Sequence, residues 1–214
     1  MKQSKSHIDL RTYIFLDSLQ LQMASYISTV ARGFLPVGGQ ACCIIEIAPG
    51  IEINTLTDVA LKATHVTPGM QIVERAYGML ELHSDSQGDV RMAGEAVLNK
   101  IEQSEENRIK PRILTSQLIK NVEDHHAQLI NRLRMGMMLL RGDTLFVLEV
   151  EPAGYAYFAA NEAEKAARIN IIDVMGFGKF GRVYIGGPEA EVLEAQKIVE
   201  KRLAEISGRE DYSG

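Results

Sequence analysis

Hydrophobic and polar positions along the chain follow a pattern that runs twice. Short apolar runs at 13–16 and 113–114 open the two passages and predict strands. Over 18–32, Leu19, Met23, Ile27 and Val30 fall at helical spacing, with Gly33 as a stop. In the second passage Val122, Leu129 and Leu133 predict one inward face of a helix that ends at Gly136. Runs rich in Ile, Val and Leu at 41–47 and 144–150, each followed by a proline, predict strands. Second helices are predicted over 54–64, with Leu56, Ala60 and Ala63 inward, and over the alanine-rich 156–167. Paired strands follow at 71–73 with 79–82, and at 171–175 with 182–185. A last helix closes each passage, through Val90, Ala93, Val97 and Ile101, then through Val192, Ala195, Val199 and Leu203. Pro188 suits the first turn of the second of these.

The two passages superpose in a nearly constant register of 103 residues. Gly33 falls on Gly136, Gly39 on Gly142 and Gly78 on Gly181. Ile45-Glu46-Ile47-Ala48-Pro49 falls on Leu148-Glu149-Val150-Glu151-Pro152, and Ala60-Leu61-Lys62-Ala63 on Ala163-Glu164-Lys165-Ala166. A register held this long marks an internal duplication. The expected organisation is two domains, 8–103 and 111–208, joined by the polar stretch 103–110 and Pro111. Short strands mixed with helices, without strict βαβ alternation, indicate an α+β class.

Composition narrows the function. The chain has 214 residues, 46% hydrophobic and 24% charged, with a formal net charge of −5. That balance is globular and argues against a nucleic-acid binder, which would show a basic patch or stripe. No apolar run approaches the ~18 residues a membrane span needs, and no secretion signal is visible at the N-terminus. The expectation is a soluble cytosolic protein without disulfides, since the two cysteines, Cys42 and Cys43, are adjacent.

Most candidate chemistry reads as architecture. Gly176-Phe177-Gly178-Lys179-Phe180-Gly181 matches G-x-G-x-x-G, but a strand rather than a helix follows, so a tight loop between strands is expected instead of a dinucleotide site. His125 and His126 diverge by about 100° on a helix and cannot readily share a metal ion; one surface and one interface histidine are expected. Cys42 and Cys43 lie in a strand and should pack to opposite faces. Glu46 and Glu149 occupy matching positions, which suggests an architectural role. No catalytic residue, metal or cofactor is assigned. Two features remain: Lys62 and Lys165, matched near the ends of the second helices, and Glu74-Arg75 on a strand-to-strand turn where the second copy has Phe177-Gly178.

Asp58-Val59-Ala60-Leu61-Lys62-Ala63-Thr64-His65-Val66 resembles the D-x-A-x-K-A-A-x-V helix of the bacterial microcompartment shell domain, and 160–169 repeats it. The strand and helix ahead of each unit are similar to the circularly permuted form of that domain. Stretches such as Ala24-Ser25-Tyr26-Ile27, Gly33-Phe34-Leu35 and Val73-Glu74-Arg75-Ala76-Tyr77-Gly78 resemble the gated-pore tandem shell proteins of carboxysomes. The short N-terminus favours the β-carboxysome version, because α-carboxysome relatives usually carry a longer extension. The resemblance implies two circularly permuted bacterial microcompartment domains in tandem. It implies a homotrimer forming a pseudo-hexameric tile of the carboxysome shell, stacked as a dimer of trimers and set among other shell proteins. Glu74, Arg75, Phe177, Gly178 and Lys179 are then expected at a gated pore passing small anionic metabolites, ribulose bisphosphate and 3-phosphoglycerate. Lys62 and Lys165 are expected at tile edges; the companion edge arginine of single-domain shell proteins has no identifiable position. The rivals are a soluble metabolite-binding regulator of two α+β units and an enzyme using Glu46, His83 or His125.

Overall fold

The computed structural model describes residues 8–210. The first copy runs β1 (Asp9–Leu16), α1 (Leu21–Val30), β2 (Ala41–Ala48), α2 (Ile53–Ala63), β3 (Thr67–Glu74), β4 (Tyr77–Ser84) and α3 (Gln87–Lys100). The second runs β5 (Arg112–Ile119), α4 (Asp124–Leu133), β6 (Thr144–Glu151), α5 (Tyr155–Ala166), β7 (Asn170–Met175), β8 (Gly181–Gly187) and α6 (Glu189–Ala204). Each copy forms one four-stranded antiparallel sheet, in the orders β1-β2-β4-β3 and β5-β6-β8-β7. The duplication extends to detail. A bulge between Leu10 and Thr12 in β1 is repeated between Ile113 and Thr115 in β5. The Ala48-Pro49 and Glu151-Pro152 bonds are both cis.

The opening strands are longer than the apolar runs at 13–16 and 113–114 suggest, because backbone pairing with β2 and β6 continues through largely polar stretches, Asp9–Thr12 ahead of the run in β1 and Thr115–Gln117 after it in β5. Gly33 and Gly136 lie beyond the helix ends rather than acting as left-handed caps. Each lets the chain run close along a strand edge: Gly33 N–H donates to Gly69 O, and Gly136 N–H to Ile172 O. A Cβ at Gly33 would stand 2.5 Å from Pro68 O, and one at Gly136 2.3 Å from Ile171 O, so only glycine fits.

Sheet faces explain the burial. Cys43, Ile45 and Ile47 of β2 pack with Leu56, Ala60, Val90, Ala93 and Val97 from α2 and α3. The opposite face, with Cys42 and Ile44, joins α1 and residues of the second copy in one continuous core. The two cysteines therefore point to opposite faces, both buried and free. The second sheet repeats the helix-covered face with α5 and α6. Its other face has only a small cluster of Val122, Ala127, Leu139, Leu145 and Ile172.

That difference corrects one expectation. Val122 is buried, but it precedes α4, and Leu129 and Leu133 do not face inward: they are 59% and 77% exposed. The apolar stripe on α4 is real, yet none of the described residues covers Leu129 and Leu133.

Candidate functional site: the seam between copies and the paired hairpin tips

The first copy's α1 follows Gln20, whose side chain does not cap it. Its free N–H groups must find acceptors elsewhere, and α5 of the second copy supplies them. Glu164 accepts from Gln22 N and Met23 N at 2.8 and 2.9 Å, and Asn161 accepts from Gln20 N at 2.9 Å. The Tyr26 hydroxyl donates to Asp173 at 2.8 Å. Deeper in the seam, Glu46 accepts from Arg11 Nε, Thr12 Oγ1 and the Gly154 N–H at the head of α5, at 3.1, 3.1 and 3.0 Å. Burial pushes this carboxyl above its usual range, against the opposing pull of Arg11. Arg11 also stacks over the Tyr77 ring at 3.9 Å.

Sequence reasoning assigned Glu46 to architecture but missed its partners Arg11, Thr12 and Gly154, and missed Glu164 and Asn161. The missing cap on α1 was the available signal. Glu149, which matches Glu46, is half-buried and bonded to Arg182 at 2.8 Å on the side of the second sheet that no other copy covers.

The hairpin tips lie beside this seam. Glu74 pairs with Tyr77 across a turn of Arg75 and Ala76. Arg75 is almost wholly exposed, with its Nε 3.7 Å from Glu74 Oε1. It adopts φ 53°, a left-handed backbone uncommon for a side-chain-bearing residue. The segment 176–180 links β7 to β8, as expected of a strand-to-strand loop. Gly178, which matches Arg75, has φ 94°. The two tips approach each other: a Cβ on Gly178 would stand 3.9 Å from Glu74 Cγ, and Glu46, Glu74, Tyr77, Phe177 and Gly178 line one small depression. Lys179 lies over the Phe180 ring at 5.1 Å.

Lys62 and Lys165 occupy the last turns of α2 and α5. Lys62 bonds Asp58 at 2.6 Å, and Lys165 approaches Asp17 of the first copy at 3.5 Å. The residues of the enzyme reading do not converge on a shared cleft. Glu46 belongs to the seam, His83 is buried against Glu81 at 3.1 Å, and His125 is exposed at the head of α4. Glu81 also accepts from Gly69 N and Cys42 Sγ, bracing β3 against β4. Among the described residues, no group of three or more His, Cys, Asp or Glu side chains is arranged to hold a metal ion, and no helix is long and apolar enough to cross a membrane.

Two permuted α+β units fused in tandem, with their hairpin tips together, define a tandem microcompartment shell protein. The fused permuted hexameric shell protein of the RMM microcompartment superposes with a TM-score of 0.91 at 44% identity, covering 94% of this chain and 100% of that one. The double-ringed trimeric shell protein of the same microcompartment gives 0.92 at 39% identity, covering 95% and 100%. The family model for the CsoS1D N-terminal domain matches residues 10–107. Carboxysome shell protein CcmP of Synechococcus elongatus is 54% identical over 203 residues, 95% of each chain. Carboxysome shell protein CsoS1D of Hydrogenovibrio crunogenus is 44% identical over 203 residues, 94% of this chain and 99% of that one. The chain belongs to the family of carboxysome shell proteins, which are structural proteins rather than enzymes.

Proposed function

We propose that three copies of this chain close into a ring of six domains, 8–103 and 111–208 from each. The ring is a pseudo-hexameric tile, and the paired hairpin tips line its central aperture as a gate. The observation that carries this reading is the seam. It is made once inside the chain and is left open on both outer sides. Tyr26 of α1 is 4% exposed beneath the second copy, whereas the matching Leu129 of α4 is open. Asn161 of α5 is fully buried by the first copy, whereas the matching Asp58 of α2 is exposed. A heterologous contact with one half free at each side of the protomer propagates to further copies and closes when its rotation permits. The trimeric and hexameric descriptions of the two similar structures fit three two-domain chains.

Around the threefold axis the ring gathers three copies of Glu74 and three of Arg75. In the closed state Arg75 of each chain pairs with Glu74 of a neighbour. Each exposed pair contributes about 0–1 kcal/mol, so three bias closure by a few kcal/mol, within reach of a modest ligand preference. Arg75 and Lys179 offer cations to anionic sugar phosphates, of which ribulose bisphosphate and 3-phosphoglycerate are the proposed cargo. The small residues at 176–181 leave width once the charged side chains swing aside, with Phe177 and Gly178 on the wall. Lys62 and Lys165 lie at the tile edges facing adjoining tiles.

The same ring supports stacking into a dimer of trimers. Phe34, Leu35 and Val37 are exposed, as are their matches Met137, Met138 and Leu140. Rotation about an axis normal to the plate keeps matched residues on one face, so the ring displays a continuous apolar belt suited to a second ring. The gate is tested by the double variant Glu74→Ala, Arg75→Ala, whose assembled rings should all have open apertures; a closed ring in that variant refutes it.

A cleft of ≈ 750 Å³ at the seam, lined by Tyr26, Phe34, Met70, Leu133, Met135 and Asp173, favours the second reading, a soluble metabolite-binding regulator. That reading predicts a discrete oligomer without lateral sheets, which electron microscopy of the purified protein distinguishes.

A further inference from the structure

The two copies diverge where the opening strand packs under the last helix. In the second copy hydrogen bonds close this place: Ser116 of β5 accepts from Gln196 Nε2 at 2.9 Å and donates to Glu200, both on α6. The matching residues of the first copy are Tyr13, Gly94 and Leu98, and neither Gly94 nor Leu98 has a polar side chain to repeat the arrangement. The Tyr13 side chain lies against Gly94 instead, where a Cβ would stand 2.2 Å from the Tyr13 hydroxyl oxygen. Beside it a cavity of ≈ 360 Å³ opens between β1, α3 and the linker that follows α3. Cavities of this size hold small molecules. The second copy packs strand on helix with a different set of residues, so the fold does not demand the set found here.

We infer that this cavity binds a flat, uncharged nitrogen heterocycle with an exocyclic amine, a purine base or nucleoside of the adenine type. The site stands apart from the ring and the gate and needs neither.

The floor is apolar and largely aromatic. Tyr13 and Leu98 are 5% and 7% exposed, and the guanidinium of Arg91 lies over the Phe15 ring at 3.6 Å. Aromatic faces and guanidinium planes are the surfaces on which bases stack. At the rim, Glu95 and Asn99 are four residues apart on α3 and share one side of it. A carboxamide matches the amine-and-ring-nitrogen edge of adenine, and a carboxylate accepts from the amine. Gln103 closes one end; its Nε2 donates to Ile8 O at 2.6 Å, which leaves its oxygen as a further acceptor.

Charge excludes the anions proposed for the central aperture. Two carboxylates, Glu95 and Glu105, outnumber Arg91 on the cavity wall. Burial raises the Tyr13 hydroxyl above its usual range, and Glu105 and Glu95 push it the same way, so the field over the floor is negative. In the second copy Phe15, Arg91, Glu95 and Asn99 are matched by Leu118, Leu193, Lys197 and Lys201. The stacking surface and both rim acceptors are lost together, which gives one site per chain.

Isothermal titration calorimetry of the purified full chain with adenosine should show one site per chain. ATP, the same base with a polyanionic tail, should bind at least ~10-fold more weakly. The double variant Glu95→Lys, Asn99→Lys places the second copy's residues at two exposed positions, so thermal unfolding should be unchanged while adenosine affinity falls at least ~10-fold. Arg91→Leu, also the second copy's residue at an exposed position, should lower affinity through the lost stacking plane and decides the matter should the double variant unfold. Absence of adenosine binding, an affinity that survives these substitutions, or ATP binding as tightly as adenosine overturns the inference.

Discussion

Arg75 and Gly178 stand at the same place in the two copies and share a left-handed backbone, at φ 53° and 94°. Glycine adopts this conformation without penalty, whereas a Cβ there costs about 1–2 kcal/mol. The first copy thus keeps a guanidinium at its hairpin tip at an energetic cost that the second copy avoids. Replacing Arg75→Gly should stabilise the isolated chain by about 0.5–1 kcal/mol, after the glycine's greater freedom in the unfolded state is counted. Urea denaturation checks this. An unchanged or lower midpoint contradicts the strain, and with it the argument that charge rather than stability keeps arginine there.

Glu46 and Glu149 should respond very differently to removal. Glu46→Ala leaves Arg11 buried without its carboxylate and the Gly154 N–H without an acceptor, and should destabilise the chain by about 3–5 kcal/mol. Glu149→Ala removes a partly exposed pair with Arg182 and should cost the isolated chain no more than about 1 kcal/mol. Ile51 matches Gly154, whose N–H donates to Glu46; in the proposed ring Glu149 is expected to accept from the Ile51 N–H of a neighbouring chain, and its loss should then appear in the dissociation of rings. Chemical denaturation compared with mass photometry separates the two effects.

The cysteines should be inert in the folded chain. Burial pushes Cys43 up to about 12, despite a hydrogen bond with Tyr13 that pulls the other way, and pushes Cys42 well above the usual thiol range. A raised thiol pKa leaves the unreactive protonated form dominant at pH 8. A thiol reagent at that pH should label neither cysteine until denaturant is added; rapid labelling of the native protein would contradict the packing of β2.

The apolar belt gives a fourth expectation. Phe34→Ser with Met137→Ser should leave single rings intact and reduce stacked pairs, because matched residues from both copies lose contact area on one face. Mass measurement at fixed concentration checks this, and undiminished pairs would assign stacking to another surface.

The duplication was legible because helix and strand periods survive in both copies even where residues differ, as Leu19 and Val122 show at the same buried position. The turn at Glu74-Arg75 and the loop at 176–181 were legible for the same reason. The fate of the α4 stripe was not. Leu129 and Leu133 carry the same helical spacing as core residues, and an apolar stripe does not say whether its cover lies in the same chain or another. Nor did composition reveal the Arg11–Glu46–Gly154 node, since its members are far apart in sequence and meet only when the copies pack. The different treatment of matched residues, buried in one copy and open in the other, emerged only from coordinates.

Single-particle electron microscopy of the purified wild-type protein tests the central claim most directly. The account predicts rings of three chains, α4 of each seated on α2 of the next, with the Glu74 and Arg75 side chains gathered around the threefold axis. A particle in which α4 remains open to solvent, or in which the Glu74–Arg75 turn lies at the periphery, would contradict it.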